Sequence, residues 1–358
     1  MKEQGNAQVL IIQLYWSNTD KMKKVLFVIE SLCGGGAERA LSNIVTHFPD
    51  DWYIDILIND ESLIEFAYKG NILSLSRPRK KSLFYFGASI ISRTFHLRKI
   101  KKSGNYDACI SFLDSSNISN VLSGNKYCKT IVSIRSDILS GNVKMADRII
   151  SYILIKYLYV YAHKIVSVSK EIRSGLVDLF RIPENKVQAI VNGFDCNWIN
   201  TNMNILPRNG EKIDEHVFQS KHLIITTGRM CELKGQWHLI RAFSEVIRRE
   251  PQSILMIVGD GELRDYLTGL VNVYGLGKQI IFVGWTENPF WYTAHADIFV
   301  FPSLCEGYPN ALAEAVCCGI PCIATDVHSG AREILAPSLD VMGERVNDVS
   351  EEEYGILI

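Results

Sequence analysis

The 358-residue sequence is short of prolines, with ten in all, carries a net charge of only −1 and has no C-x-x-C pair. With 47% hydrophobic residues, the scarcity of proline excludes collagen-like, proline-rich and disordered chains. Long apolar runs are missing as well. The longest mostly apolar stretch, Ile149 to Ala162, is interrupted by Ser151 and Lys156, and it falls short of the roughly 20 apolar residues that a spanning helix needs. The nine cysteines (33, 109, 128, 196, 231, 305, 317, 318 and 322) are odd in number and scattered through apolar segments. They read as reduced core residues rather than bridges or zinc ligands. What remains is a chain able to bury large cores, long enough for about two domains.

The small net charge hides a division. Residues 1–200 carry 26 Lys and Arg against 18 Asp and Glu, whereas residues 201–358 carry 12 against 21. Two units with different partners are implied, the basic one facing an extended anion such as a membrane surface or nucleic acid.

The first 21 residues lack the small-residue cleavage site of a signal peptide, and Met22 opens "MKKVLFVIESLCGGGAER", which starts like a first buried strand. Residues 1–21 are expected to be a disordered extension. The last residues, "YGILI", read as a strand, so a closing C-terminal helix is expected to be missing.

Short Val/Ile-rich strands alternate with helical patterns, as in parallel βαβ construction. Strands are expected near 24–30, 53–59, 108–112, 129–134, 163–168 and 186–191. A second series falls near 222–227, 253–258, 279–283, 297–301, 321–325 and 355–358. Residues 199–221 are polar, hold Pro and Gly, and read as a linker. The expected fold is α/β: two doubly wound Rossmann-like domains, 22–198 and 222–358, facing across a cleft. In such sheets ligands bind beyond the carboxyl ends of the strands, so the strand-to-helix junctions carry the functional information.

At the first junction, "SLCGGGAER", Gly34, Gly35 and Gly36 can bring backbone N–H groups close to an anion or a sugar oxygen. A tight turn without a ligand is the lesser alternative. Asp60 ends the second strand where an acidic residue can hold a ribose, but a dinucleotide fingerprint would require glycine at Arg39. At the second junction, "TTGRMCELKGQWHL", Arg229 and Lys234 stand just before a helix that starts near Gly235. Two fixed cations there suit a diphosphate, although alone they could be solvated surface charges. At the third, "FVFPSLCEGYPNALAEAVCCGIPC", Glu306 and Gly307 lie in a loop and Pro309 opens a helix. Gly319 suits its left-handed cap. Glu314 follows Glu306 by eight residues, at most roughly 12 Å along a helix.

Glu306-x7-Glu314, preceded by Arg229-x4-Lys234 and by the "VGDGELRDYL" turn with Gly259 and Gly261, resembles the donor half of glycosyltransferase family 4. The likeness extends from Met22 to Ile358 and includes the glycine loop, "VSVSKEIRSGL" and "VNGFD". The resemblance implies a GT-B fold, an N-terminal acceptor domain, a C-terminal nucleotide-sugar domain, retention of anomeric configuration and no metal. It implies that Arg229 and Lys234 hold the donor diphosphate, Glu306 contacts the sugar and Glu314 holds the ribose, with Gly259, Gly261 and Gly307 lining the donor site. UDP is the favoured nucleotide. The catalytic set is then Glu306, Arg229 and Lys234. One departure stands out: where many members have a histidine, this chain reads "IVSIRSD", so Arg135 and Asp137 take its place. Arg135 is grouped with Gly34–Gly36 as an acceptor or diphosphate contact. A sugar-nucleotide epimerase on the same fold, or a non-catalytic nucleotide-sugar-binding protein at a membrane, would share the donor residues. The two glutamates could also suggest a glycosidase, but a neutral glycoside would not require the cations beside them.

The acceptor is sought in the basic half. Residues 77–102 hold nine Lys or Arg and no Asp or Glu, and Phe84, Ala88, Ile91 and Phe95 form one helical stripe among them. An ordinary helix packing its stripe on the core is the alternative, but the run of cations without an acidic residue favours an anionic membrane surface. The aromatic segment 144–164 is expected to be mostly core. With no recognised nucleic-acid motif, no nucleic-acid partner is expected. A saccharide or lipid-linked saccharide acceptor and a cytoplasmic location, peripheral on the inner face of the membrane, complete the reading.

Overall fold

The computed structural model describes residues 23–62, 64–76, 83–136, 149–150, 152–207, 217–218, 222–327 and 330–358, with the backbone alone for 83–86. The extension expected over 1–21 lies outside these residues, as do 208–216 and 219–221 of the expected linker. The chain divides into two compact units, one ending at Phe194 and one starting at Asp195.

Unit 1 is a seven-stranded parallel sheet of β1 Lys23–Val28, β2 Trp52–Ile58, β3 Asn71–Ser74, β4 Ala108–Phe112, β5 Lys129–Ile134, β6 Lys164–Ser167 and β7 Val187–Ala189, in the order β3-β2-β1-β4-β5-β6-β7. Helices α1 Gly36–Thr46, α2 Leu83–Gly104, α3 Asp114–Leu122 and α4 Lys170–Asp178 connect the strands. Right-handed crossovers place α1 on one face and α2 and α3 on the other. The run "KKVLFV" shows why β1 is apolar without alternation. Val25 and Phe27 pack with Leu41 and Val45 of α1, while Leu26 and Val28 pack with Leu97 and Ile100 of α2. All four strand side chains are fully buried, each worth about 1.5–3 kcal/mol relative to exposure.

Helix α2 covers much of the expected basic stretch, but two of its cations are internal. Arg93 donates to Asn59 Oδ1 and to the hydroxyls of Ser115 and Ser116. Lys101 Nζ donates to the carbonyl oxygens of Asn120 (2.8 Å) and Gly124 (3.2 Å). The cause is helical spacing: Arg93, Leu97 and Lys101 follow one another at four residues, on a face turned inward, while Ala88, Ile91 and Phe95 are exposed. The segment 144–164 also departs from expectation. Ile155 and Tyr159 point inward, whereas Tyr152, Tyr157 and Tyr161 are exposed. A π-turn at Leu154–Leu158 runs into a 3-10 turn at Tyr159–Tyr161, so no single helical period sorts these rings.

Unit 2 opens with α5 Cys196–Asn202, whose cap residue Asp195 accepts the Trp198 N–H. The linker expected from 199 therefore starts inside a helix. Its backbone is held to the rest of unit 2, because Asn288 Nδ2 donates to the Asn202 and Ile205 carbonyl oxygens. The second seven-stranded sheet comprises β8 His222–Thr227, β9 Ser253–Val258, β10 Ile280–Gly284, β11 Ile298–Phe301, β12 Cys322–Ala324, β13 Ser350–Glu352 and β14 Gly355–Leu357, ordered β10-β9-β8-β11-β12-β14-β13. Only β13 runs antiparallel, as a hairpin with β14. Helices α6 Gln236–Arg249, α7 Arg264–Val273, α8 Pro289–Ala294, α9 Asn310–Cys318 and α10 Ala331–Leu335 complete the unit. α6 and α7 cover one face of the sheet, while α8 and α9 cover the other.

Two features of unit 2 were not expected. Cys196 on α5 and Cys317 on α9 form a disulfide, with Cα atoms 5.6 Å apart across 121 residues of sequence. Packing of α5 on α9 brings them together, so the nine cysteines are not all reduced. Asp326 and Arg332 form a buried pair, with Arg332 Nη1 also donating to the Asp340 carbonyl oxygen at 2.8 Å. Burial raises the Asp326 carboxyl, but Arg332, the Val346 N–H and Arg345 outweigh it and hold the group below its ordinary value.

Candidate active site

The site in unit 2 is built from the loops after β8, β9 and β11. After Thr227 the chain turns through Gly228 (φ 148°) to Arg229, makes one 3-10 turn over Glu232–Lys234, and passes Gly235 (φ 64°) into α6. A Cβ on Gly235 would overlap the Pro302 carbonyl oxygen. Only glycine combines that left-handed conformation with so close an approach. Backbone bonds then lace the three loops together. Leu304 N–H donates to Leu233 O (2.8 Å), Met230 N–H to Asp260 O (2.9 Å), and Leu263 N–H to Met230 O (3.0 Å). Buried Gln236 adds a side-chain bond from Nε2 to Arg229 O at 3.1 Å.

This framework places Lys234 against Glu306. Lys234 Nζ and Glu306 Oε1 form an ion pair and hydrogen bond, with the carboxylate largely buried. The ammonium also lies over the Phe301 ring, 5.8 Å from its centroid. Two residues 72 positions apart are thus joined where β8 and β11 end. Arg229 is oriented differently. Its guanidinium meets Glu262 of the β9–α7 loop at 3.0–3.1 Å, both side chains being exposed. Glu262's own backbone N–H, and then Arg229, hold that carboxylate below its ordinary value against the opposing effect of burial.

Gly259 and Gly261 have a structural role in how the loops meet. A Cβ on Gly259 would strike the Gly228 carbonyl oxygen, and one on Gly261 would strike the Met230 backbone. Their absent side chains let the β8 and β9 loops touch. Gly307 is buried in the loop ahead of α9. Glu314, half-buried on α9, acts with burial to push the Cys318 thiol up to about 12, burial being the larger cause. α9 starts at Asn310 with Pro309 as its cap residue, one position later than expected, and ends on left-handed Gly319.

In unit 1, Gly34 (φ 71°) donates its N–H to Glu65, Gly35 caps α1 in extended conformation, and Gly36 is its first residue. Arg135 follows β5 and is paired with Asn192 Oδ1, its guanidinium 5.3 Å from the Phe112 ring centroid. Burial lowers its pKa to about 10 against the pull of Glu38 on the first turn of α1. Arg135 and the glycine turn are therefore neighbours through Glu38. Asp137 lies outside the described residues.

One polar group escaped the sequence reading. Asp114, at the carboxyl end of β4, follows Leu113, whose φ of 70° is strained for a branched residue. Burial raises its carboxyl, which accepts a hydrogen bond from Tyr159 OH at 2.8 Å. The position itself was the available signal, because Asp114 directly follows a buried strand.

Two Rossmann-like units with a cation–carboxylate pair at the strand ends define the class of GT-B-type proteins. Residues 221–352 match the Glycosyl transferases group 1 family. An uncharacterized glycosyltransferase of Methanocaldococcus jannaschii is 30% identical over 291 residues, covering 79% of this chain and 71% of the relative. A Campylobacter jejuni N-acetylgalactosamine-N,N'-diacetylbacillosaminyl-diphospho-undecaprenol 4-alpha-N-acetylgalactosaminyltransferase is 26% identical, covering 94% of this chain and 86% of that one. Anabaena HepE, solved with UDP and glucose, shares the fold with a TM-score of 0.67 at 19% identity, covering 87% of this chain and 82% of the other. The chain belongs to the GT-B-fold glycosyltransferases and is an enzyme of that class.

Proposed function

We propose that the protein is a retaining family 4 glycosyltransferase that moves a hexosyl residue from UDP-sugar to a saccharide carried on a lipid diphosphate. The observation that carries this reading is the Lys234–Glu306 pair at the ends of β8 and β11. In the reaction the bond from the anomeric carbon to the diphosphate oxygen breaks, and its electron pair leaves with the diphosphate. The acceptor hydroxyl forms the new bond on the face the diphosphate leaves, and its proton passes to the departing diphosphate oxygen. Lys234 and Arg229 neutralise charge growing on the leaving group, while Glu306 faces the positive charge growing at the anomeric carbon. Glu314 takes the ribose hydroxyls. The lipid-linked acceptor is supported by the Campylobacter relative, whose name specifies an undecaprenol diphosphate saccharide. The exposed cations of α2 would bring the enzyme to the membrane holding such an acceptor.

The decisive test is incubation with a panel of nucleotide sugars, scored for free nucleoside diphosphate with and without lipid-linked acceptor. Acceptor-dependent release is expected, unaffected by chelator. Sugar interconversion without acceptor would instead establish an epimerase. Glu306→Gln should depress turnover more than donor binding, and Glu314→Gln should chiefly raise the donor's Kd. Equal effects on both quantities in both variants would reject these roles.

A further inference from the structure

Unit 1 exposes apolar side chains where its helices should present polar ones. On α2 the inward positions hold Arg93, Leu97 and Lys101, while Ile91 and Phe95 are 60% and 68% exposed. The segment before β6 repeats the inversion: Tyr157 and Tyr161 are 61% and 66% exposed, with Ile153 beside them. Lys156 lies against this tyrosine face, its Nζ 2.9 Å from Tyr152 Oη and 5.8 Å from the Tyr157 ring centroid.

The two regions belong to one surface. α3 packs against both α2 and the 154–161 segment. Arg98 of α2 and Lys126 both hydrogen-bond Tyr127, lowering its phenol pKa against the larger, raising effect of burial. Asn125 Nδ2 in turn donates to the Tyr161 carbonyl oxygen at 3.3 Å. Among the described residues, acidic side chains are scarce in the chain that builds this face, since 83–106, 115–136, 149–150 and 152–170 contain no Asp or Glu. Of the four carboxylates at the joins, Asp107 accepts the Lys24 N–H, Asp114 accepts the Tyr159 hydroxyl, and Asp137 and Asp147 lie outside the described residues.

The geometry points to a docking surface for an anionic lipid bilayer, with the rings of Tyr157 and Tyr161 at headgroup level and Ile91, Phe95 and Ile153 against the acyl boundary. The occupant follows from chemistry. Exposed aliphatic side chains have no counterpart on a nucleic acid, and an anionic partner is selected by the cations of this face, Arg98, Lys102, Lys126 and Lys156. A bilayer satisfies both, because amphipathic rings and cationic stems settle where acyl chains meet phosphates. The inference rests on the membrane part of the proposed function and extends it from one basic helix to a face built from three segments, independently of which sugar is transferred.

The full-length protein is floated with vesicles of phosphatidylcholine alone and of phosphatidylcholine with phosphatidylglycerol, across a salt series. Binding is expected only with phosphatidylglycerol, weakening as salt rises. Joint substitution Tyr157→Ser and Tyr161→Ser should weaken it about tenfold at low salt. A second pair on another helix, Ile91→Ser and Phe95→Ser, should act likewise if the first pair perturbs folding. Arg98→Gln with Lys102→Gln should weaken binding and flatten its salt dependence. Turnover on a soluble acceptor should be unchanged in every variant. Unaltered vesicle binding by both apolar pairs would overturn the inference. So would a parental dimer, measured by light scattering, that the tyrosine pair dissociates, or tighter binding to single-stranded RNA than to vesicles. Acceptor-dependent transfer in detergent without any vesicle binding would reject the docking surface while leaving the proposed reaction intact.

Discussion

The two units are built on the same plan and use their cations in opposite ways. In unit 1, Arg93 and Lys101 are buried and bonded to an asparagine, serine hydroxyls and backbone carbonyls, with Glu30 a looser ionic partner of Arg93 at 3.8 Å. They tie α2 to α3 and have no access to a ligand. In unit 2, Lys234 and Arg229 stand at loop positions beside carboxylates that a diphosphate could displace. Basic residues counted along the sequence thus say little until burial divides them. A neutral partner fixes a cation in the fold, whereas a partly accessible carboxylate keeps one available.

The sharpest challenge to this contrast comes from the fully ionic buried pair. Arg332→Ala should destabilise unit 2 by about 3–5 kcal/mol, because it leaves the buried Asp326 carboxylate with only the Val346 N–H and the more distant Arg345. Urea unfolding would measure it, and a loss as small as that of an exposed ion pair would show that Asp326 is solvated after all. Next, Lys234→Ala and Arg229→Ala should each cost about 1.5–3 kcal/mol of donor binding with the fold intact by circular dichroism. Calorimetric titration with UDP-sugar checks this, and unchanged affinity in either variant would remove that cation from the donor site.

Unit 1 supplies a finer comparison within one helix. Lys101→Met should cost about 1–3 kcal/mol by leaving the Asn120 and Gly124 carbonyl oxygens short of a donor. Exposed Lys102→Met should stay within about 0.5 kcal/mol. Equal thermal shifts would refute the assignment of Lys101 to the interior.

The smallest effect concerns acid. Burial, followed by Lys186, Lys129 and Lys101, lowers the pKa of His163 below its ordinary 6.5, and its Nδ1 accepts the Thr130 N–H. The unfolded chain therefore takes up that proton first, and unit 1 loses stability as pH falls below about 6.5, until the folded value is passed. Asp326 is depressed below its ordinary 3.8, so its contribution to unit 2 is complete above that value and fades as pH falls through the lower folded one. Thermal melts across pH should show unit 1 weakening first, and His163→Gln should abolish the early loss. Simultaneous onset in both units would contradict the sign worked out for His163.

Legibility in the sequence followed the physics of burial. Runs such as "SILMIV" announce a strand because both of its faces are covered, and β9 occupies the expected residues. Edge strands lack that signal. β3 has four residues, and β13 consists of Ser-Glu-Glu, paired only through its hairpin with β14. The pairing of Lys234 with Glu306 was within reach because both follow buried strands. The opposite placement of Arg229, toward Glu262, depends on loop geometry that spacing does not encode. The inward face of α2 was present as a four-residue rhythm of Arg93, Leu97 and Lys101, but an apolar stripe drew the reading to the other side.

The backbone lacing of the loops after β8, β9 and β11 bears on how such a chain can diversify. Its bonds run between main-chain atoms, so Leu233, Leu304 and Leu263 could be exchanged without losing them. On the proposed donor assignment, preference for a different sugar would drift through side chains lining the loops while the anchoring of Lys234 persists. Gly235 and Gly259 have no such latitude, since any side chain there would force neighbouring backbone aside. Selection for a new substrate should leave those two positions untouched and concentrate its changes around Glu306.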